Sequence, residues 1–456
     1  MEDQWLLHCQ TLLAVPKHNF RDIAKIRAEA KDVVIHCQDH AANQLMMFCP
    51  VLYHKMVLDT FETGPVFRKL SISPAGLLNH VLKHTISKHI KRRYNWGINT
   101  KAKFPSAYVC PKKKKQWTTA RSIISYNKTV FSKLFTALGR ILKDMTDVAY
   151  PSNLHKETMP EILKALRNYF LSNSDTSGYK FYNEDLEGFY TSIPQERILA
   201  ATRHMIMRYF EQHPSDDPSS VVLSTIMSQK QRQGRTIRGR SYVRQNLTKQ
   251  IHVGDIEELV KLAIECSYVT VMGIVYIQVR GAPIGSQAAP AICNLTVSFD
   301  EEVWQITYHI VKRSDTIAQR YVDNRLAIMP AHVSLQTGYQ HFLTLDFYEP
   351  PVQLLRVEDI NYVGFDIDVP GREVRYILPT EDWQFRSTLS AGTESTLLSG
   401  YRSRVHIIIR GVFPRIKVRP TIQLLTDHYI KLGFCKVALD NVWKHCIYST
   451  RFNRNS

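Results

Sequence analysis

Two short stretches set an aspartate among strand-forming residues: Asp185-Leu186-Glu187-Gly188-Phe189-Tyr190-Thr191-Ser192-Ile193-Pro194 and Tyr321-Val322-Asp323-Asn324. Carboxylates so placed suit a two-metal phosphoryl-transfer site. Two divalent ions ~3.5–4 Å apart must share ligands, so the acidic groups have to come from adjacent strands of a stiff sheet. A ring at Tyr190, where a turn begins, would lie under the sugar of a bound nucleotide and clash with a 2′-hydroxyl. Each residue alone has a plainer reading: Asp185 as a cap or turn residue, Tyr190 as core, Asn324 as an ordinary hairpin-turn residue. The pair of aspartates is what turns the reading toward chemistry.

The elements that must hold these residues follow from periodicity and turn chemistry. A strand is expected at 179–186, and Tyr321 to Asn324 reads as a hairpin tip with Arg325-Leu326-Ala327-Ile328 returning. Strands at 107–109 and 121–125 form a hairpin around the turn Lys112-Lys113-Lys114-Lys115, a row of cations over whatever it covers. Helices are expected at 130–145 and 159–171, after Pro194 with Ile198, Ala201, Met205 and Tyr209 inward, and at 256–266 behind Asp255 as N-cap. A long β-branched strand at 270–279 precedes the loop Gly281-Ala282-Pro283-Ile284-Gly285-Ser286, which enters a helix capped by Ser286. Short strands are expected at 354–357 and 362–369. The first 100 residues read as mostly helical, the clearest helix following Pro74 with Leu78, Leu82, Ile86 and Ile90 every fourth position. Residues 230–249 hold seven cations and no acid, a basic inserted loop or hairpin, and the C-terminal stretch is helical and basic.

Composition narrows the partners. Lys and Arg outnumber Asp and Glu by 59 to 41, a net charge of +18, which favours a polyanion through counterion release. Basic clusters with aromatics beside them, Lys91-Arg92-Arg93-Tyr94-Asn95-Trp96 and Lys112 to Trp117, suit a nucleic-acid strand, although a solvated helix face explains the first equally well. The eight cysteines include no C-x-x-C pair and are expected to be reduced and mostly buried. No apolar run is long enough for a membrane helix, so an intracellular, soluble protein of nucleus or cytoplasm is expected.

Taken in order, these motifs resemble the reverse transcriptase family over roughly residues 104–370. The stretch from Asp185 to Pro194 resembles its first palm motif, Gly281 to Asn294 its template- and nucleotide-positioning loop and helix, and Tyr321 to Asn324 its tyrosine-any-Asp-Asp box. Lys113, Lys115 and Arg121 resemble the fingers cations on the triphosphate, and Tyr362-Val363-Gly364-Phe365 the motif that grips the primer.

The resemblance implies an α+β right-hand polymerase with a palm built on an antiparallel sheet: a helical, basic, RNA-binding extension over 1–100, fingers over 101–178, palm over 179–380 with a basic insertion at about 211–250, and a helical thumb over 381–456. It implies an RNA-directed DNA polymerase working on an RNA template, a DNA or RNA primer and deoxynucleoside triphosphates, with a structured RNA on the N-terminal extension. Catalysis falls to Asp185, Asp323 and Asn324. Two Mg2+ ions, for which Mn2+ can substitute, fall to Asp185, Asp323 and Leu186, and the nucleotide to Lys113, Lys115, Arg121, Leu186, Tyr190 and Gly285. Asn324 stands where the family has a second aspartate, which removes one negative charge and predicts weaker metal affinity with a tilt toward manganese. Two other readings compete: a catalytically impaired scaffold that keeps the fold and binds RNA, and an RNA-directed RNA polymerase.

Overall fold

The computed structural model describes residues 25, 28–38, 41–112, 117–213, 221–226, 235–240, 248–311, 313–378, 385, 388 and 393–452. In chain order these contain the hairpin β1 (Val34–Gln38) and β2 (Ala41–Phe48), helix α1 (Pro50–Phe61), β3 (Phe67–Leu70), α2 (Pro74–His80) and α3 (Lys88–Arg93). Then come β4 (Ser106–Pro111), β5 (Ala120–Ser125), α4 (Ser132–Ala149), α5 (Met159–Ser172), β6 (Tyr179–Glu187) and α6 (Gln195–Glu211). An inserted sheet of β7 (Val221–Ile226), β8 (Arg235–Arg240) and β9 (Thr248–His252) leads to α7 (Ile256–Glu265), β10 (Tyr268–Val271), β11 (Ile274–Gln278) and α8 (Ala289–Thr307). The chain continues through β12 (Ile317–Tyr321), β13 (Asn324–Pro330), α9 (Ala331–Ser334), α10 (Thr337–Phe342), β14 (Gln353–Arg356), β15 (Asn361–Tyr362), β16 (Phe365–Asp368) and β17 (Glu373–Tyr376). It closes with α11 (Glu394–Gly411), α12 (Val418–Lys431) and α13 (Lys436–Phe452).

The central sheet has the order β12-β13-β6-β14, every pair antiparallel. One face packs on α4, α6 and α8 through Leu186, Ala327, Met329 and Leu354. The other presents Leu326 and Ile328 to α5 and to the small sheet β15-β16-β17. Alternation along β13 separates these sets, as the two-residue period of a strand requires. The C-terminal helices enclose a third cluster around Leu397, Tyr401, Leu425 and Tyr429.

A second sheet, β3-β11-β10-β4-β5, draws strands from three distant parts of the chain. The segment before residue 100 therefore contributes two hairpin strands and a sheet strand, where periodicity predicts mostly helix. The expected helix after Pro74 is broken. Its backbone passes through a π turn at Val81–Thr85, extends at Ile86, and restarts at α3, whose Ile90 N–H donates to Ser87 Oγ. An apolar residue every fourth position fits either form, and the serine cap decides. The long strand expected at 270–279 folds back as the β10–β11 hairpin, because Met272 (φ 48°) and Gly273 (φ 84°) make a two-residue turn with both φ positive. Residues 362–369 likewise hold a hairpin, turning at Val363 and Gly364. Of the two forms expected for the basic insertion, the described residues take the hairpin, β7 pairing antiparallel with β8, and β9 adds a third strand.

Two expected caps serve other partners. The Ser286 hydroxyl accepts from Ala288 N–H, and α8 begins after it with Ala288 at the cap position. Asp255 precedes α7 without capping it. Its carboxylate, 8% exposed, accepts hydrogen bonds from Arg93 Nη1 (2.7 Å) and Tyr94 Oη (2.5 Å) and lies 3.0 Å from His89 Nε2. These hydrogen bonds outweigh burial and hold the carboxyl below its usual range. Of the cysteines, Cys110, Cys266, Cys293 and Cys446 are buried, Cys435 is half-buried and Cys49 is exposed.

Candidate active site

Register brings the two aspartates together. β13 pairs with β6 so that Asn324 faces Asp185, and the Leu186 N–H donates to the Asp323 carbonyl at 2.8 Å. Both carboxylates are half-buried at the end of the central sheet. Burial, then the charges of Asp323 and Glu187, hold the Asp185 carboxyl above the usual carboxylate range. The hairpin turn between Tyr321 and Asn324 has two residues, Val322 and Asp323, and Val322 takes φ 58°. The Asn324 amide donates to Asp323 Oδ1 at 3.0 Å.

The raised Asp185 carboxyl carries a stability consequence. A carboxyl whose folded pKa lies above its unfolded value supports the fold below the unfolded pKa and loses that support as pH rises through the folded pKa. At neutral pH the ionised Asp185 therefore works against folding. Asp185→Asn in chelator is expected to melt above the native chain at pH 7, with the gap closing at acid pH. A lower melting point at pH 7 would contradict the burial and charge argument.

The oxygen donors fit a hard dication: two carboxylates whose mutual repulsion a cation relieves, with backbone carbonyls and the Asn324 amide alongside. Among the described residues no group of three or more His, Cys, Asp and Glu side chains is gathered for a metal.

Beside the aspartate turn lies a cavity that Tyr190 and Val322 help to line. Tyr190 packs edge-on to Phe189 at 5.1 Å between ring centroids, and burial pushes its phenol up to about 12. With Val322, Asn294 and Arg140 it lines that cavity, of about 310 Å³. The glycine loop lies against the first aspartate turn: Gly281 N–H donates to Ile193 O and Ala282 N–H to Tyr190 O, both at 3.0 Å. Gly281 has φ 74°, and a Cβ there would lie 2.0 Å from Tyr190 O. Gly285 (φ 78°) leaves similarly little room, its Cβ position being 2.2 Å from Ile124 O on β5. That strand also carries the exposed Arg121, opposite Cys110. Lys113 and Lys115 lie outside the described residues.

Tyr362 Oη donates to Asn324 O at 2.9 Å, and Asn183 Nδ2 donates to the carbonyls of Asp359 and Asn361, tying the β15–β16 hairpin to the aspartate strands. The structure thus gathers Asp185, Leu186, Asp323 and Asn324 at one point and sets Tyr190 and the glycine loop beside it.

Three supports escape sequence reading. Gln278, 2% exposed, receives Ile284 N–H and donates to the carbonyls of Arg280 and Ala282, holding the glycine loop. Arg325 meets Glu184, and Arg320 meets Glu301, all four side chains at 0% exposure. A charged residue inside an apolar strand was the available signal.

No protein-family profile matches the sequence, and no curated protein is detectably similar to it. Solved structures are similar in fold. Telomerase from Candida albicans in complex with the TWJ fragment of telomeric RNA superposes with a TM-score of 0.59 at 13% identity, over 93% of this chain and 65% of that one. Apo telomerase from Candida tropicalis gives a TM-score of 0.53 at 12% identity, over 92% of this chain and 67% of that one. The chain has a reverse-transcriptase-like polymerase fold. It spans about two thirds of the length of these telomerase chains. Among the described residues no helix is long and apolar enough to cross a membrane.

Proposed function

We propose that this chain is a nucleotidyltransferase that adds deoxynucleotides to a primer 3′-hydroxyl on an RNA template. The observation that carries this reading is the register that sets Asp185 beside Asp323 at the end of the central sheet, in a chain with a polymerase fold. Asp185 and Asp323, with the Leu186 backbone, would hold two Mg2+ ions, Mn2+ substituting, and bound there such ions would neutralise the triphosphate and lower the pKa of the primer hydroxyl. The protein's own part is positioning. Arg121, with Lys113 and Lys115, meets the triphosphate. Tyr190 lies beneath the sugar, the glycine loop through Gly285 seats the nucleotide, and the Tyr362-to-Phe365 hairpin presses on the primer. In this reading β4 and β5 belong to the fingers, the β6–β13 sheet to the palm and α11 to α13 to the thumb, while the residues before 100 hold a structured RNA.

Primer extension on an RNA template, with deoxy- and ribonucleotides in competition and Mg2+ or Mn2+ present, tests the proposal. Deoxynucleotide incorporation is expected, and Tyr190→Ala should relax sugar selection by about 10–100-fold. Preferential ribonucleotide incorporation by the native chain would replace this reading with an RNA polymerase. One observation favours an RNA-binding scaffold instead: the Asn324 amide already occupies one oxygen of Asp323. Extension by Asn324→Asp alone would establish that second reading.

A further inference from the structure

The tip that carries Asp323 is a strained object. Val322 is β-branched yet sits at φ 58°, a region such residues avoid, and a conformation of this kind persists only where its surroundings over-determine it. Besides the Leu186 N–H on the Asp323 carbonyl, one guanidinium holds the Val322 carbonyl. Arg320, fully buried, donates from Nη1 to the Val322 carbonyl at 3.1 Å. Its Nε donates to Glu301 Oε1 at 2.7 Å, and its Nη2 to Asn294 Oδ1 at 3.0 Å and Ser298 Oγ at 3.3 Å, all three partners on α8.

Glu301 is itself fixed, accepting from Tyr348 Oη at 2.9 Å and from Leu154 N–H at 3.1 Å. The segment that contains Leu154 is laced to β12 by Arg320 N–H to Leu154 O and Lys156 N–H to Arg320 O. A fork of five N–H donors in one plane therefore spans the glycine-loop helix and the aspartate turn, a geometry that a lysine ammonium does not reproduce.

We propose that Arg320, oriented by Glu301, is a positioning residue that sets the Asp323 carboxylate relative to Asp185 by fixing the Val322 carbonyl. The proposal rests on the proposed function, because it assigns Arg320 to the metal-holding aspartate. A salt bridge that merely supported the fold would need only the contacts to Glu301, Nε to Oε1 and Nη2 to Oε2 (3.3 Å). The contact to the strained turn and those to Asn294 and Ser298 are what place the aspartate.

The test compares the full-length native chain, Arg320→Lys, Asp323→Ala and a destabilised control, Val333→Ala, which removes buried volume distant from the turn. Single-turnover extension and Mn2+ binding followed by electron paramagnetic resonance are both read, each at temperatures matched to the variants' melting points. Arg320→Lys is expected to lose about 10–100-fold in kcat while KM for the nucleotide changes by less than about threefold, as a misplaced rather than a missing ligand would. Mn2+ affinity should fall about tenfold, the usual cost of losing a ligand's orienting partner, and Val333→Ala should change neither.

Native kcat and Mn2+ affinity in Arg320→Lys would overturn the proposal, as would equal losses in Arg320→Lys and Val333→Ala. If the native chain extends no primer, the enzymatic reading fails and Mn2+ binding decides alone. A site abolished by Asp323→Ala and weakened by Arg320→Lys upholds the positioning role. A native chain with no Mn2+ site sensitive to Asp323→Ala ends it.

Discussion

Asp323→Ala is expected to lower the single-turnover rate of primer extension by about 10³-fold or more, with RNA affinity unchanged or slightly raised. Asp323 is the turn carboxylate beside Asp185, and on the proposed two-metal reading its removal leaves one acidic ligand for the pair of dications. A missing interaction of about 4 kcal/mol in the transition state corresponds to about three decades in rate. Template binding, governed by phosphates against a chain of charge +18, gains from the loss of one anion. Extension by Asp323→Ala at the native rate would remove the catalytic assignment altogether. Asn324→Asp is the companion: it restores a third carboxylate, and the ratio of Mg2+- to Mn2+-supported rates should rise.

Glu184→Ala should be the most destabilising single change near the site. Arg325 donates to Glu184 Oε2 from Nε at 2.8 Å and to Phe342 O from Nη2 at 2.7 Å, its guanidinium 3.9 Å from the Phe342 ring centroid. Neither partner of the pair is exposed. Deleting the carboxylate leaves a buried cation among aromatic rings, which costs about 3–5 kcal/mol, whereas replacing both partners with apolar side chains of similar size is often neutral or better. The pair is also imperfectly satisfied, since Glu184 Oε1 and Arg325 Nη1 lack hydrogen-bond partners. Chemical denaturation of Glu184→Ala, Arg325→Met and Glu184→Leu/Arg325→Met checks this. The double variant is expected within about 1.5 kcal/mol of the native chain and well above Glu184→Ala. Additive losses would show that the ion pair is worth more than its burial costs.

Local pattern revealed what local physics controls. The strand carrying Asp185, the Tyr321-to-Asn324 hairpin and the β4–β5 hairpin were legible because alternation and turn chemistry act over a few residues. Their meeting was legible only through the motifs' order, since no pattern in either strand encodes that Asn324 pairs with Asp185. Tertiary partners decided the rest. Asp255 has the look of a helix cap, and Tyr94 and Arg93, far earlier in the chain, take its carboxylate instead. Leu82 and Ile86 fit one helical repeat, and a π turn with a serine cap interrupts it. Arg325 was placed on the returning strand with no role for its charge, whereas it lies directly cross-strand from Arg320 and both are fully buried. Two guanidiniums side by side are tolerated because Glu301 and Glu184 arrive from separate elements, and neither glutamate is near its arginine in sequence.

The junction at Asp255 bears on how this chain divides into modules. Composition suggests a removable segment ending near residue 100, yet that segment supplies all the side-chain donors that steady an anion at the foot of the inserted sheet. Cutting the chain after Tyr94 would strand a desolvated negative charge beneath β9 and α7 and strip β3 from its neighbour β11. What reads as an appendage is therefore a structural wall against which the inserted sheet and α7 are seated.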